Sequence, residues 1–148
     1  MAKLTIIKEP NEILRKRSKE VTEFGPRLHQ LLDDLKDTMQ AAAGVGIAAV
    51  QVGILFRVCL VNTDDFGIVE LVNPSLVKAM GKKSGEEGCL SVPNHHGMII
   101  RPTKVTVRAQ DRNGISFEHT FEGRSAVCVS HELDHLDGVL FVDRLTRP

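Results

Sequence analysis

Hydrophobic and polar positions follow two different periods along this chain, and the switches between them mark its elements. Residues 11 to 18 read as a short polar helix with Ile13 and Leu14 as its only anchors. Beyond Gly25-Pro26, Leu28, Leu31, Leu32, Leu35, Met39 and Ala42 recur at helical spacing, with Asp33, Asp34, Lys36 and Asp37 between them. Proline suits the first turn of such a helix and Gly44 is a natural stop, so this stretch is scaffold. After Gly44 the period changes. Phe56-Arg57-Val58-Cys59-Leu60-Val61 and Ile68-Val69-Glu70-Leu71-Val72 read as buried strands around the turn-prone Asn62-Thr63-Asp64-Asp65. Lys104 to Gln110 alternates with period two, Asn113-Gly114 is a strong turn signal, and Ile115 to Phe121 alternates again, which predicts a hairpin. A final helix runs from about Arg124 to Leu136, closed by Gly138, with Val127 and Leu133 anchoring it to the core. The pattern predicts an α+β fold: a mixed, mainly antiparallel sheet packed around a central motif helix.

That last helix carries His131-Glu132-Leu133-Asp134-His135. At about 3.6 residues per turn, His135 lies roughly 40° round from His131, so both imidazoles can meet one metal ion. Glu132 lies about 60° from His135 on the far side, near the metal without being obliged to bind it. That suits a general base acting on water activated by the metal. The bland alternative is a surface helix with two chance histidines.

Composition narrows the setting. The 148 residues are the size of one domain, read as residues 1–148, and long enough to bury a core without disulfides. Lys plus Arg and Asp plus Glu are both 19, so the balanced charge gives no footprint for nucleic acid or an anionic membrane. The start, Met1 to Ile7, is followed by charge, and no apolar run reaches membrane-spanning length. Three cysteines and no secretory signal point to a reducing, cytoplasmic setting with free or metal-bound thiols.

A catalytic metal needs a third ligand and keeps one position open. Cys59, between Val58 and Leu60, reads as a small core residue. Cys128, on the motif helix one turn before His131, reads as packing. His29 and His119 read as solvent-facing. His95 and His96 fall in an expected loop, where solvated histidines are common. Cys89 stands apart, flanked by Gly85, Gly88 and Pro93 in a stretch where the backbone can approach a ligand closely. A thiolate with two neutral imidazoles gives a tetrahedral site with an open position, suited to both Zn(II) and Fe(II).

Three segments, in this order and spacing, resemble the peptide deformylases: Gly44-Val45-Gly46-Ile47-Ala48-Ala49-Val50-Gln51, Glu87-Gly88-Cys89-Leu90-Ser91, and His131 through Gly138. The similarity covers nearly the whole chain. The resemblance implies a metal held by Cys89, His131 and His135, with Glu132 as acid/base. It implies Fe(II) as the native metal, with Zn(II), Ni(II) or Co(II) as alternatives, and the formylmethionyl end of new polypeptides as substrate. A formamide needs activated water and a stabilised oxyanion, and the Gln51 side-chain amide and the Leu90 backbone N–H are the expected donors. Family positions place Val45 and Gly88 as backbone partners of an extended peptide. Val127, one turn before His131, is an expected wall of the methionine pocket, to which family positions add Gly46 and Cys128. Arg101 and Asp134 match family positions and are expected to pair and brace the motif helix.

Three departures stand out: Ser130 where Gln is common, His96 where many bacterial members carry Arg, and an end at Pro148 where many continue into a helix that contacts the ribosome. The first is expected to have a small effect, the second puts binding of longer substrates in doubt, and the third leaves a transient ribosome contact unsupported. Two rivals remain. A zinc endopeptidase would need a His or Glu ligand after the helix, where Asp143 is the only acid beyond Gly138. A non-catalytic relative that only binds N-termini would have no need to retain Gln51, Cys89 and Glu132 together.

Overall fold

The computed structural model describes residues 3–146; Met1 and Ala2 of the leader reading, and Arg147 and Pro148 at the end, lie outside the described residues. Helix α1 spans Pro26–Ala41 and α2 spans Arg124–Leu136. The strands are β1 (Gly46–Ala48), β2 (Val58–Thr63), β3 (Gly67–Met80), β4 (Lys83–Cys89), β5 (Val92–Arg101), β6 (Lys104–Gln110) and β7 (Ser116–Glu122). They form a five-stranded sheet of order β1-β2-β3-β6-β7 and a separate two-stranded sheet, β4-β5. Every pairing between these strands is antiparallel; an isolated bridge between Lys19 and Phe56 is parallel.

Strand β2 explains its own composition. Val58 and Leu60 face the cluster formed with Leu28, Leu32, Leu35 and Met39 of α1. Cys59 and Val61, with alternate orientation, join the cluster under α2 that includes Val107, Phe121, Val129 and Leu136. A strand covered on both faces must be apolar at successive positions, which is the run read from the sequence. Cys59 is accordingly a buried core residue.

Three expectations change. The polar helix over residues 11–18 is a single 3-10 turn, Glu12–Arg15, because only Leu14 is fully buried and one anchor holds one turn. The strand expected to end at Val72 runs on to Met80. Asn73, at φ 50°, and Pro74 sit at a shift in the β3–β6 register, so a bulge absorbs the residues that otherwise signal a stop. The region around Cys89 and the expected loop around His95 and His96 form the β4-β5 hairpin. Its inner side rests on a third cluster of Leu14, Val92, Ile99, Leu140 and Phe141.

At the end of α2, the Leu136 carbonyl accepts from Arg57 Nη1 (2.9 Å) and from the Ser18 N–H (2.9 Å), supplying partners that a helix C-terminus lacks. Gly138 follows at φ 76°, and a Cβ there would stand 2.3 Å from the Arg15 carbonyl oxygen, so both conformation and space require glycine. No helix among the described residues is long and apolar enough to cross a membrane.

Candidate metal centre and its cleft

Helix α2 and the end of β4 meet at one point. Cys89, His131 and His135 each offer a ligand atom, all within 4.8 Å of one another. His135 Nε2 stands 3.3 Å from Cys89 Sγ and 3.2 Å from His131 Nε2. Donors around a tetrahedral ion with bonds of about 2.0–2.3 Å are separated by roughly 3.3–3.6 Å, so this set fits a metal such as Zn(II) or Fe(II). His131 Nδ1 lies 3.1 Å from Glu87 Oε1, the partner that fixes the N–H on Nδ1 and leaves Nε2 free to coordinate.

Burial and neighbouring charges together set the protonation of the three helix groups. Glu132 is buried, and desolvation pushes its pKa up to about 7, with Glu87 adding and His131 and Arg101 opposing. One of its oxygens, Oε1, is buried and has no hydrogen-bond partner within the protein. A carboxylate titrating near neutrality, with an acceptor to spare, is suited to taking and returning a proton. His135 is pushed down to about 3 by burial and then by the positive charge of His131 and Arg101. Burial opposes a charge on His131 too, but contacts with Cys89 and Glu87 and the nearby Glu132 raise it to about 10. A metal entering the site therefore competes with a proton at His131.

Glu87 is held from the other side by Arg101, whose Nε and Nη2 donate to its two oxygens at 2.8 and 3.1 Å. Arg101 Nη1 donates to Asp134 Oδ2 at 2.7 Å, the pair expected from the sequence. Burial alone would raise the Glu87 pKa, but the hydrogen bonds from His131 and Arg101 outweigh it and hold Glu87 below the ordinary value. Arg101→Ala would leave the buried carboxylate of Glu87 without its arginine and strip the partly buried Asp134 of one of its ion-pair partners. It is expected to destabilise the fold by about 3–5 kcal/mol. Chemical denaturation of the metal-loaded variant measures this; an unchanged midpoint would mean the ion pairs hold nothing.

Beside the centre lies a cleft of about 440 Å³, whose walls include Val45, Gly46, Gly88, Val127 and Cys128. Gln51 and Leu90 also line it. The Gln51 amide is fixed in direction: its Oε1 accepts from the Ala48 N–H (2.9 Å), and its Nε2 donates to Ser91 Oγ (3.2 Å) and lies 3.9 Å from Cys89 Sγ. Gln51 is 2% exposed, so its amide is held inside the cleft wall and not in bulk solvent. The Cys128 thiol donates to the Val45 carbonyl at 3.3 Å, tying α2 to the segment that leads into β1.

The family model for polypeptide deformylase matches residues 3–148. The chain belongs to the polypeptide deformylase family. A peptide deformylase of Caldicellulosiruptor bescii is 53% identical over 137 residues, covering 93% of this chain and 82% of the relative. The crystal structure of a peptide deformylase from Thermotoga maritima matches with a TM-score of 0.95 at 35% identity, covering 99% of this chain and 100% of that one. A class I type b peptide deformylase from Acinetobacter baumannii, in a crystal structure with Met-Ala-Ser bound, matches with a TM-score of 0.93 at 36% identity, covering 97% and 100%.

Within this deformylase fold, the site residues named from the sequence lie together: His135 is buried in the ligand cluster, Arg101 and Asp134 stand behind it, and the others line the cleft. Two readings shift. Val127 lines the cleft more than the core, whereas Leu133 packs on the core as expected. His29 and His119 are half-buried, not solvent-facing: His29 Nε2 contacts the Arg112 carbonyl at 2.7 Å, and the His119 ring lies against Phe66 and Phe121. His96 lines the cleft rim, and a Cβ on Gly88 would stand 2.7 Å from its ring. Sequence reasoning missed Glu87 as the support of His131, and Ser91 as the partner of Gln51. Glu87 stands two positions before the expected thiolate ligand, but nothing local in the sequence marks it as buried or as the partner of Arg101 and His131.

Proposed function

We infer that this chain removes the formyl group from the N-terminal formylmethionine of newly made polypeptides, releasing formate and a free amine. The observation that carries the mechanism is the buried Glu132 beside the cluster of Cys89, His131 and His135, at a cleft of about 440 Å³. Membership of the deformylase family supports the reaction, and the Met-Ala-Ser bound to the Acinetobacter relative supports a peptide in the cleft. We read residues 1–148 as one catalytic domain.

Cys89, His131 and His135 would hold the metal, with Fe(II) as the native ion and Zn(II), Ni(II) or Co(II) as replacements. When bound, it supplies Lewis acidity that makes water a nucleophile at neutral pH and polarises the formyl carbonyl. Glu132 takes the proton of the attacking water and returns it to the amine nitrogen as the C–N bond breaks. Gln51 Nε2 and the Leu90 N–H donate to the oxygen that becomes negative as the carbon turns tetrahedral. Ala48 keeps the Gln51 amide from rotating, so that donor is in place before the reaction begins. Val45 and Gly88 hold the peptide backbone on opposite rims, and Gly46, Val127 and Cys128 enclose the methionine side chain. The substrate emerges from the ribosome, so a transient encounter there belongs to this reading, as does a cytoplasmic location.

Formate release from formyl-Met-Ala-Ser, measured on anaerobically purified protein with its metal counted, tests the assignment. Release proportional to bound iron is expected. A fully loaded protein that binds the peptide without turnover would support the non-catalytic alternative, and internal peptide-bond cleavage would support the endopeptidase.

A further inference from the structure

The ion pairs behind His131 do not stop at Asp134. Arg144, in the 3-10 turn Phe141–Arg144 that follows α2, donates to both Asp134 oxygens, from Nε at 2.7 Å and Nη2 at 3.0 Å. Four side chains of alternating charge thus run from solvent to the centre: Arg144, Asp134, Arg101, Glu87, then His131 Nδ1. The outer member is half exposed, 49% at Arg144, Asp134 is at 14%, and the inner pair is buried, 5% at Arg101 and 7% at Glu87. The chain also links the elements that carry the expected ligands. Glu87 is on β4, two residues before Cys89, and Asp134 is on α2, next to His135, while Arg101 on β5 joins them.

We propose that Arg144 is a positioning residue for the metal centre, acting through Asp134, Arg101 and Glu87 on His131. The idea rests on the metal reading above. Asp134 accepts from two guanidinium groups at once, so each arginine limits the directions in which the carboxylate can turn. With Arg144 in place, Asp134 presents Oδ2 to Arg101, and Arg101 keeps its fork on Glu87, which holds the His131 ring at the angle its Nε2 needs. Without Arg144, Asp134 is free to turn toward solvent. Arg101 then loses its outer anchor, and the orientation of Glu87 and His131 broadens. Carboxylate partners of ligating histidines are worth about 10–100-fold in metal affinity, and a residue one layer further out is expected to contribute a smaller factor.

Arg144 has a competing role as a simple clamp on the C-terminal segment, and other contacts allow the two roles to be separated. The segment is held independently by Thr146, whose N–H and Oγ1 donate to the Met98 carbonyl at 2.9 and 3.1 Å. It is also held by an ion pair between Asp143 and Arg15. Neither contact touches Asp134.

The experiment uses the full chain loaded with Co(II), whose visible thiolate and ligand-field absorption reports an intact centre, and follows the decay of that signal after a chelator is added. Arg144→Ala is expected to release Co(II) about three- to tenfold faster than wild type. Arg144→Lys, which keeps the charge but not the two-pronged contact, is expected to fall between them. Arg15→Ala, which loosens the same segment, is expected to release at the wild-type rate even if its melting temperature drops. Combining Arg144→Ala with Asp134→Asn is expected to add nothing to the Asp134→Asn rate. Equal release from Arg144→Ala and wild type would overturn the relay, as would an equal acceleration in Arg15→Ala. A wild-type protein that gives no Co(II)–thiolate spectrum would overturn the metal reading itself, and the relay with it.

Discussion

Glu132→Gln is expected to lower kcat for formate release by roughly 10²–10⁴-fold while the metal stays bound and KM changes little. The amide is close in shape and keeps the buried site filled, but it can neither accept the proton of the attacking water nor return it to the amine. Two features make Glu132 suited to both transfers. Burial raises its pKa to about 7, so neither protonation state is strongly disfavoured at neutral pH. Its Oε1 is free of protein partners and has no competing hydrogen bond to break. The sign of the pH dependence follows. As the pH falls through the Glu132 pKa, the carboxylate gains a proton and the wild-type rate falls. A bound cation favours the carboxylate form, so this acid limb in the loaded enzyme lies at or below about 7. The residual rate of the Gln variant should lack that limb. Steady-state kinetics across pH, with metal counted in every sample, measure all three quantities. A variant with near-wild-type kcat would remove Glu132 from the chemistry.

Gly46→Ala is expected to lower kcat/KM by about 10²-fold although it replaces neither a ligand nor a titrating group. A Cβ at this position would stand 2.7 Å from Glu132 Oε2, 3.2 Å from its Cδ, and 2.7 Å from Cys128 Sγ. Real Cβ atoms do not approach so closely, and both neighbours are buried, so the carboxylate must move, and Cys128 with it. A displacement near 1 Å of a group that transfers a proton can cost that factor. Overpacking should also reduce stability by about 1–3 kcal/mol. Gly85→Ala is the control, because a Cβ there meets nothing within 4 Å. Formate kinetics and denaturation of both variants settle the point. Full activity in Gly46→Ala would mean that the observed position of Glu132 is not the one that reacts.

Much of this was legible in the sequence where each residue type answers to one demand. Helix α2 was read to its observed limits because its apolar stripe, its histidine pair and Gly138 agree. The hairpin of β6 and β7 was read because Asn113-Gly114 divides two alternating runs. The β4-β5 hairpin was not, and its burial pattern explains why. Between Lys83 and Arg101, Val92 and Ile99 are the fully covered aliphatic residues, Met98 and Ile100 are exposed, and the buried Glu87 and Arg101 are charged. Period-two alternation records contrast between an apolar and a polar side, and here an ion pair occupies positions an aliphatic pair would otherwise mark. The same substitution hid Glu87. A carboxylate buried for the sake of a histidine that is distant in sequence leaves no local pattern, whereas Cys89 could be singled out because thiols near glycines have few other uses in such a chain. The bulge at Asn73-Pro74 hid the outer half of β3 for a different reason, since the residues that end a strand also permit it to bend and resume.

The β4-β5 sheet has ladder hydrogen bonds only between its own two strands, yet its last residue, Cys89, is an expected ligand, and the other two lie on a helix packed against the larger sheet. A metal held by all three would span 46 positions of sequence between Cys89 and His135 and fasten one sheet to the body that carries the other. Catalysis and cohesion would then weaken together. Oxidation of the Cys89 thiol would end turnover and, in the same event, remove one tie between hairpin and helix, leaving the ion pairs of Glu87 with His131 and of Arg101 with Asp134 to hold them together.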